Sequence, residues 1–260
     1  MRIARFTTGE DPKYGVVQGE PGGPDRIAVV TGDPLYTPIQ YTGESVAVED
    51  ARLLAPVIPR SKVIGVGRNY AAHAAELGNE VPAEPLVFLK PNTSVIGPGD
   101  PVQLPAQSSE VHYEGELAVV IGRICRDVPR SRVAEVVLGY TVANDVTARD
   151  LQKKDGQWWR AKGFDTFCPL GPYLVTDIDP SDLHLVTRLD GEIVQDARTS
   201  SMIFDVPALI EHVSAAMTLL PGDVILTGTP EGVGPMVEGQ RVEIEIEGLG
   251  TLSNPVVRRR

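Results

Sequence analysis

Two glutamates two residues apart, Glu114 and Glu116, lie in the stretch Val111 to Gly122, which reads V-H-Y-E-G-E-L-A-V-V-I-G. Alternate residues of a strand share a face, so this spacing puts both carboxylates on one side with His112, and Val111, Tyr113 and Leu117 on the other. Like charges this close push each other toward protonation unless something positive lies between them, and a hard divalent cation with oxygen ligands answers that need. The plain alternative is a pair of solvated glutamates. Asp145 ends a second strand pattern, Val136 to Val146, immediately before Thr147-Ala-Arg-Asp-Leu-Gln152. There it is placed either to give a third oxygen ligand or to cap the following helix and offset its dipole. His73 and Glu76 are three apart in an alanine-rich segment, hence neighbours on one helix face. A carboxylate that fixes an imidazole tautomer makes a general base, while a surface ion pair needs no function at all. Lys162 stands among the aromatics of Gln157-Trp-Trp-Arg-Ala-Lys-Gly-Phe164, where it either snorkels to water or faces an anionic ligand.

These residues need elements to hold them. Leu117 to Ile121 is an unbroken apolar run, which suggests a strand covered on both faces. A contrasting segment, Arg241 to Glu247, reads R-V-E-I-E-I-E; its regular alternation assigns Glu243, Glu245 and Glu247 to the wet face of a half-buried strand. Lys62 to Val66 reads as a buried strand entering Gly65-Val-Gly67-Arg-Asn-Tyr70, but Tyr70 occupies the third glycine position of a dinucleotide fingerprint, so no such site is expected. A short helix follows, with Asn69 as N-cap, Tyr70 to Leu77 as its body and Gly78 at its end. Glu84 to Leu89 is a further strand ending at Lys90-Pro91, and Asn92 to Pro105 is a loop. Leu183 to Leu189 and Glu192 to Gln195 form a hairpin around Asp190-Gly191. Asp205 caps a helix whose apolar stripe is Leu209, Ile210, Val213, Met217 and Leu220. Asp223 to Pro235 is a strand entering a Gly/Pro loop without the G-K-[ST] ending of a phosphate loop. Residues 1–55 form a small β-rich unit of turn-linked strands, with the boundary at Pro56-Val-Ile-Pro59 and the chemistry confined to residues 56–260.

Composition narrows the class. A 260-residue chain with 42% hydrophobic and 23% charged residues can bury a substantial core. The net charge of -11 repels phosphate backbones, so nucleic acid is not an expected partner, and the basic run Arg258 to Arg260 reads as a solvated tail. No apolar run nears the ~20 residues of a membrane span, and the N-terminus lacks a signal-peptide core. Cys125 and Cys168 form no C-x-x-C pair. A cytoplasmic enzyme or binding protein is the consistent expectation.

Taken together, Gly67-Arg-Asn-Tyr70-x-x-His73, Phe88-Leu-Lys-Pro91, His112-Tyr-Glu-Gly-Glu-Leu117, Asp145-Val-Thr-Ala-Arg-Asp150, Lys162, Thr199-Ser-Ser-Met-Ile203 and Leu226-Thr-Gly-Thr-Pro-Glu-Gly-Val-Gly234 closely resemble the fumarylacetoacetate hydrolase family. The resemblance runs from about residue 60 to the end. It implies a mixed, β-rich α+β fold, the β-sheet roll of that family with a small N-terminal β domain, assembled as a homodimer. It also implies Mg²⁺ or Mn²⁺ held by Glu114, Glu116 and Asp145, with 2-oxo or 1,3-dicarbonyl acids as substrates. On the same resemblance His73 with Glu76 activates water or shuttles a proton, and Lys162 stabilises developing negative charge. Gln152 and Thr229 position substrate oxygens, and Arg68 holds a distal carboxylate. Cleavage of a C–C bond, by acylpyruvate hydrolysis or oxaloacetate decarboxylation, is the expected reaction because the His73–Glu76 dyad is present. Isomerisation of 2-hydroxyhepta-2,4-diene-1,7-dioate in aromatic catabolism is the close rival, and a catalytically silent metal- or ligand-binding module the non-enzymatic one.

Overall fold

The apolar run Leu117 to Ile121 becomes the middle of the molecule. In a computed structural model, which describes residues 1–19, 24–76, 78 and 80–259, the strand Gly115–Ile121 is buried throughout and pairs with Val137–Asn144 on one side and Val224–Leu226 on the other. Its residues alternate between two cores, as a strand covered on both faces must. Leu117, Val119 and Ile121 pack with Leu185, Val242, Ile244 and Ile246, while Ala118 and Val120 pack with Val63, Ala143, Leu170 and Leu226.

This strand belongs to a 12-stranded mixed sheet. From one end its path runs Tyr41–Ala47, Arg26–Val30, Lys13–Gln18, Arg2–Thr7, Cys168–Val175 and Val137–Asn144. It continues through Gly115–Ile121, Val224–Leu226, Val63–Gly67 and Leu86–Lys90. Val63–Gly67 runs parallel to Val224–Leu226, and its other neighbour Leu86–Lys90 is antiparallel. The N-terminal strands have a small core of their own, Ala4, Phe6, Val17, Ile27 and Val29, yet Arg2 and Ile3 pair with Val175 and Leu174, so hydrogen bonding continues into the rest of the sheet. A five-stranded sheet (Glu192–Arg198, His184–Leu189, Arg241–Ile246, Gly250–Arg258, Val102–Leu104) covers the first face. Its hairpin turns at Asp190 and Gly191, both at positive φ (52° and 87°), as a two-residue turn matching strand twist requires. Val242, Ile244 and Ile246 point inward and Glu245 and Glu247 outward, as the alternation predicts.

Four local expectations need correction. Asn92 to Pro105 is not all loop, since Val95–Ile96 and Val102–Leu104 are strands. The stretch from Val111 is two strands, not one: Val111–Tyr113 pairs in a separate three-stranded sheet, and Glu114 occupies the break. Asn69 caps no helix; its side chain crosses the fold to the Phe204 and Thr227 carbonyls (2.9 and 2.7 Å), and the helix spans Ala71–Glu76. Leu77, the last residue of the expected helix body, and Arg260 lie outside the described residues. Asp205 does cap the helix Val206–Ala216 through the Ala208 N–H (2.8 Å), but Met217 and Leu220 lie beyond its end and Leu220 is exposed. No helix among the described residues is long and apolar enough to cross a membrane.

Candidate active site

Three carboxylates meet where the central strand breaks. The Glu114 N–H donates to Asn144 Oδ1 (2.9 Å), the Asp145 N–H to the Glu114 carbonyl (2.9 Å), and the Gly115 N–H to Gln195 Oε1 (3.0 Å). Gly115 is required there, because a Cβ would stand 2.3 Å from Thr187 Oγ1. One carboxylate oxygen each from Glu114, Glu116 and Asp145 lies within 4.8 Å of the others, and the three residues are 3%, 1% and 1% exposed. Asp145 is not a helix cap: the residue preceding helix Arg149–Asp155 is Ala148, and the Asp145 side chain turns to two lysines.

Counter-charge is distributed unevenly. Glu114 accepts from Arg149 Nη2 (2.6 Å) and Lys162 Nζ (2.7 Å), and Asp145 from Lys162 Nζ (2.6 Å) and Lys90 Nζ. Glu116 accepts only the Gly228 N–H (2.7 Å) and has no cationic side chain bonded to it among the described residues. Burial pushes the Glu114 carboxyl up, but Lys162 and Arg149 outweigh it and hold it well below the ordinary range. For Glu116, burial and then the Asp145 and Glu114 charges push the same way, well above that range. Burial pulls the Lys162 ammonium down, yet Asp145 and Glu114 more than offset it, so Lys162 stays protonated. An all-oxygen donor set with one buried carboxylate lacking counter-charge fits a hard divalent cation.

Beside the carboxylates lies a cavity of about 210 Å³. Arg68, His73, Glu114, Glu116, Gln152, Lys162 and Thr229 all line it, whereas Asp145 sits behind the wall and Glu76 holds His73 from outside. His73 Nδ1 is 3.3 Å from Glu76 Oε2, and Glu76 Oε1 accepts the Gly232 N–H (3.0 Å). Among the described residues that leaves Nε2 without a partner, and His73 lines the cavity. Burial depresses the His73 imidazole below its usual 6.5 despite the opposing pull of Glu114 and Glu76, so the ring is neutral at pH 7. Gln152 Oε1 accepts from Arg149 Nη1 (2.7 Å), and its amide N–H groups have no partner among the described residues. Arg68 takes a positive φ (57°) and lies 5.9 Å from the Trp158 ring centre; Trp158 packs edge-on against Phe88. His112, expected beside the glutamates, bonds Glu110 instead (3.0 Å) and is outside the carboxylate cluster.

Lys90, Arg149, Lys153 and Trp158 were not singled out by sequence reasoning. Lys90 and Arg149 stood inside the quoted motifs Phe88 to Pro91 and Asp145 to Asp150, and their burial, 2% and 3% exposed, is what marks them. Lys153 lies one residue past Gln152 on the same cavity wall, and nothing in its local sequence distinguishes it from Lys154.

Comparison with known proteins places this geometry in context. A sequence profile described as fumarylacetoacetate (FAA) hydrolase C-terminal matches residues 62–257, and one described as Rv2993c-like, N-terminal matches residues 1–56. The crystal structure of 5-carboxymethyl-2-hydroxymuconate delta-isomerase from Mycobacterium smegmatis is 54% identical with a TM-score of 0.92, covering 100% of both chains. Oxaloacetate tautomerase Fahd2a, mitochondrial, from Rattus norvegicus is 43% identical over 99% of this chain and 92% of its own. Maleylpyruvate hydrolase from Sphingobium sp. SYK-6, solved with manganese(II) and pyruvate, is 35% identical with a TM-score of 0.82 over 100% of both chains.

Proposed function

The chain belongs to the fumarylacetoacetate hydrolase family and is an enzyme of that family, and from that premise we propose that it acts on 2-oxo or 1,3-dicarbonyl carboxylic acids with Mg²⁺ or Mn²⁺, cleaving a C–C bond by acylpyruvate hydrolysis or oxaloacetate decarboxylation. The observation that carries this is the buried cluster of Glu114, Glu116 and Asp145, of which the two glutamates line a cavity that also holds a protonated lysine and a neutral imidazole. A bound ion would supply Lewis acidity at the 2-oxo group. The protein's own groups do the rest. Lys162 offers a fixed positive charge to an oxygen that becomes an enolate, and the free N–H groups of Gln152 and the hydroxyl of Thr229 orient the acid head. His73, held by Glu76, accepts a proton from the water that attacks the second carbonyl of an acylpyruvate. Tautomerisation or isomerisation is the second reading, favoured by the names of the rat and Mycobacterium relatives, and it uses the same enolate stabilisation without the water.

A Mn²⁺-supplemented panel of oxaloacetate, acetylpyruvate, fumarylpyruvate and 2-hydroxyhepta-2,4-diene-1,7-dioate tests the proposal, with specificity constants ranking decarboxylase, hydrolase and isomerase. Tight Mn²⁺ binding with no turnover of any member makes the protein a silent binding module. Because His73 is depressed below 6.5, the acid limb of kcat/KM for hydrolysis is expected below pH 6.5 and lost in His73→Gln. A limb above that value that persists at saturating Mn²⁺ and is unchanged in His73→Gln removes His73 as the base. A homodimer is part of the same proposal, checked by sedimentation equilibrium.

Arg68 and Lys153 are cavity cations with no carboxylate partner among the described residues, which favours substrates carrying a second anionic group. Arg68→Met is expected to raise KM for oxaloacetate about 10- to 100-fold, the worth of a charged hydrogen bond, while acetylpyruvate changes about twofold at most. Equal rises for the two substrates refute the assignment.

A further inference from the structure

We infer that Gln195 is a positioning residue of this site, one that fixes the Thr229 hydroxyl as a hydrogen-bond donor toward the substrate; this rests on the reading of the cavity given above. Gln195 lies on strand Glu192–Arg198 of the five-stranded sheet, 1% exposed and far along the chain from the residues its side chain touches. Its Oε1 accepts the N–H of Gly115, the residue between the two glutamates (3.0 Å). Its Nε2 donates to Thr229 Oγ1 (2.8 Å) and to the Pro230 carbonyl (3.0 Å). The amide can take only this orientation, because a backbone N–H can only donate and the Pro230 carbonyl can only accept.

Polarity at Thr229 follows. Its oxygen is occupied by the incoming Gln195 N–H, and its own hydrogen meets no acceptor among the described residues. Thr229 is 3% exposed and lines the cavity with Glu116 and Lys162, so that hydrogen is available to a ligand oxygen. A hydroxyl without this anchor rotates, and a hydroxyl that must donate to Gln195 is withdrawn from the substrate. The same side chain also accepts the N–H of Gly115, between Glu114 and Glu116, so its effect on the hydroxyl has to be separated from an effect on the carboxylates.

Gln195→Glu makes that separation. One carboxylate oxygen still accepts the Gly115 N–H, but the other accepts from Thr229 instead of donating to it. Wild-type protein, Gln195→Glu, Thr229→Val and the double variant are compared with oxaloacetate and acetylpyruvate, alongside Mn²⁺ titration and Mn²⁺-dependent binding of pyruvate. The expected result is a 10- to 100-fold loss of kcat/KM in Gln195→Glu, a matching loss of pyruvate affinity, and Mn²⁺ affinity within threefold of wild type. In the Thr229→Val background the same substitution should cost less than twofold, and the activity of Gln195→Glu should recover relative to wild type as pH falls, since a protonated carboxyl can donate again. Additive losses, a pH profile parallel to wild type, or a Mn²⁺ affinity that falls as far as activity would each overturn the inference and leave Gln195 a sheet-to-sheet brace. If Gln195→Glu does not fold, Gln195→Met replaces it, with non-additivity against Thr229→Val as the criterion. Wild-type protein that neither binds pyruvate nor turns over any 2-oxo acid brings down the parent reading instead, and the inference with it.

Discussion

Glu116→Gln is expected to abolish metal-dependent turnover, by about a thousandfold or more, while making the metal-free protein harder to unfold. The two effects have opposite sign because Glu116 is the carboxylate without a cation. Glu114 has Lys162 and Arg149 bonded to it and Asp145 has Lys162 and Lys90, whereas Glu116 faces both carboxylates with only the Gly228 N–H bonded to it among the described residues and the pull of the unbonded Lys162 outweighed. Removing its charge relieves like-charge repulsion in a buried site and strands no cation, a gain on the order of 1–3 kcal/mol. It also removes an anionic oxygen from the set proposed to hold the ion. Glu114→Ala and Asp145→Ala are expected to lose turnover too, but at a cost of roughly 3–5 kcal/mol in stability, since each leaves two buried cations short of a partner. Thermal unfolding with and without MnCl₂, together with Mn²⁺ counted by electron paramagnetic resonance, reads both effects. Retention of Mn²⁺-dependent turnover in Glu116→Gln would end the three-carboxylate proposal; destabilisation of its metal-free form would show that Glu116 is supported by something other than the Gly228 N–H.

Strand spacing suggested Glu114 and Glu116 as a same-side pair, with Asp145 at the end of the next strand, but left solvated glutamates and a helix cap open; the motif resemblance joined the three as one ligand set, and the three carboxylates do converge. The same spacing rule sends Glu245 and Glu247 to solvent. The break at Glu114 was not legible, because it is made by side chains from elsewhere, Asn144 and Gln195, that take over the hydrogen bonds a continuous strand would use. Asn69 was misread for a similar reason. Its type and place before a helix suit a cap, but its partners lie 135 and 158 residues away. The cations that decide which carboxylate is satisfied come from three separate elements, so the charge balance of the site exists only in the folded molecule. For the His73–Glu76 pair the residues alone favoured a surface ion pair; burial of His73 and its cavity position are tertiary facts.

His73→Gln is expected to slow hydrolysis of acetylpyruvate by about 10²–10⁴-fold, the usual contribution of a general base, and to slow tautomerisation or decarboxylation of oxaloacetate by about tenfold or less. Hydrolysis needs water made nucleophilic at the far carbonyl, which is the work assigned to Nε2. Decarboxylation needs only an electron sink at the 2-oxo group and a charge to stabilise the enolate, which Lys162 provides without the imidazole. Glutamine keeps much of the volume and a hydrogen-bonding group near Glu76, so the helix Ala71–Glu76 retains its tie to the Gly232 N–H through Glu76 itself. A loss confined to the hydrolytic substrate identifies water activation as the role of the dyad and makes cleavage of acylpyruvates the reaction this site is built for. Equal losses on both substrates would mean that His73 serves binding or closure, and the presence of the dyad would then give no reason to prefer hydrolysis over isomerisation.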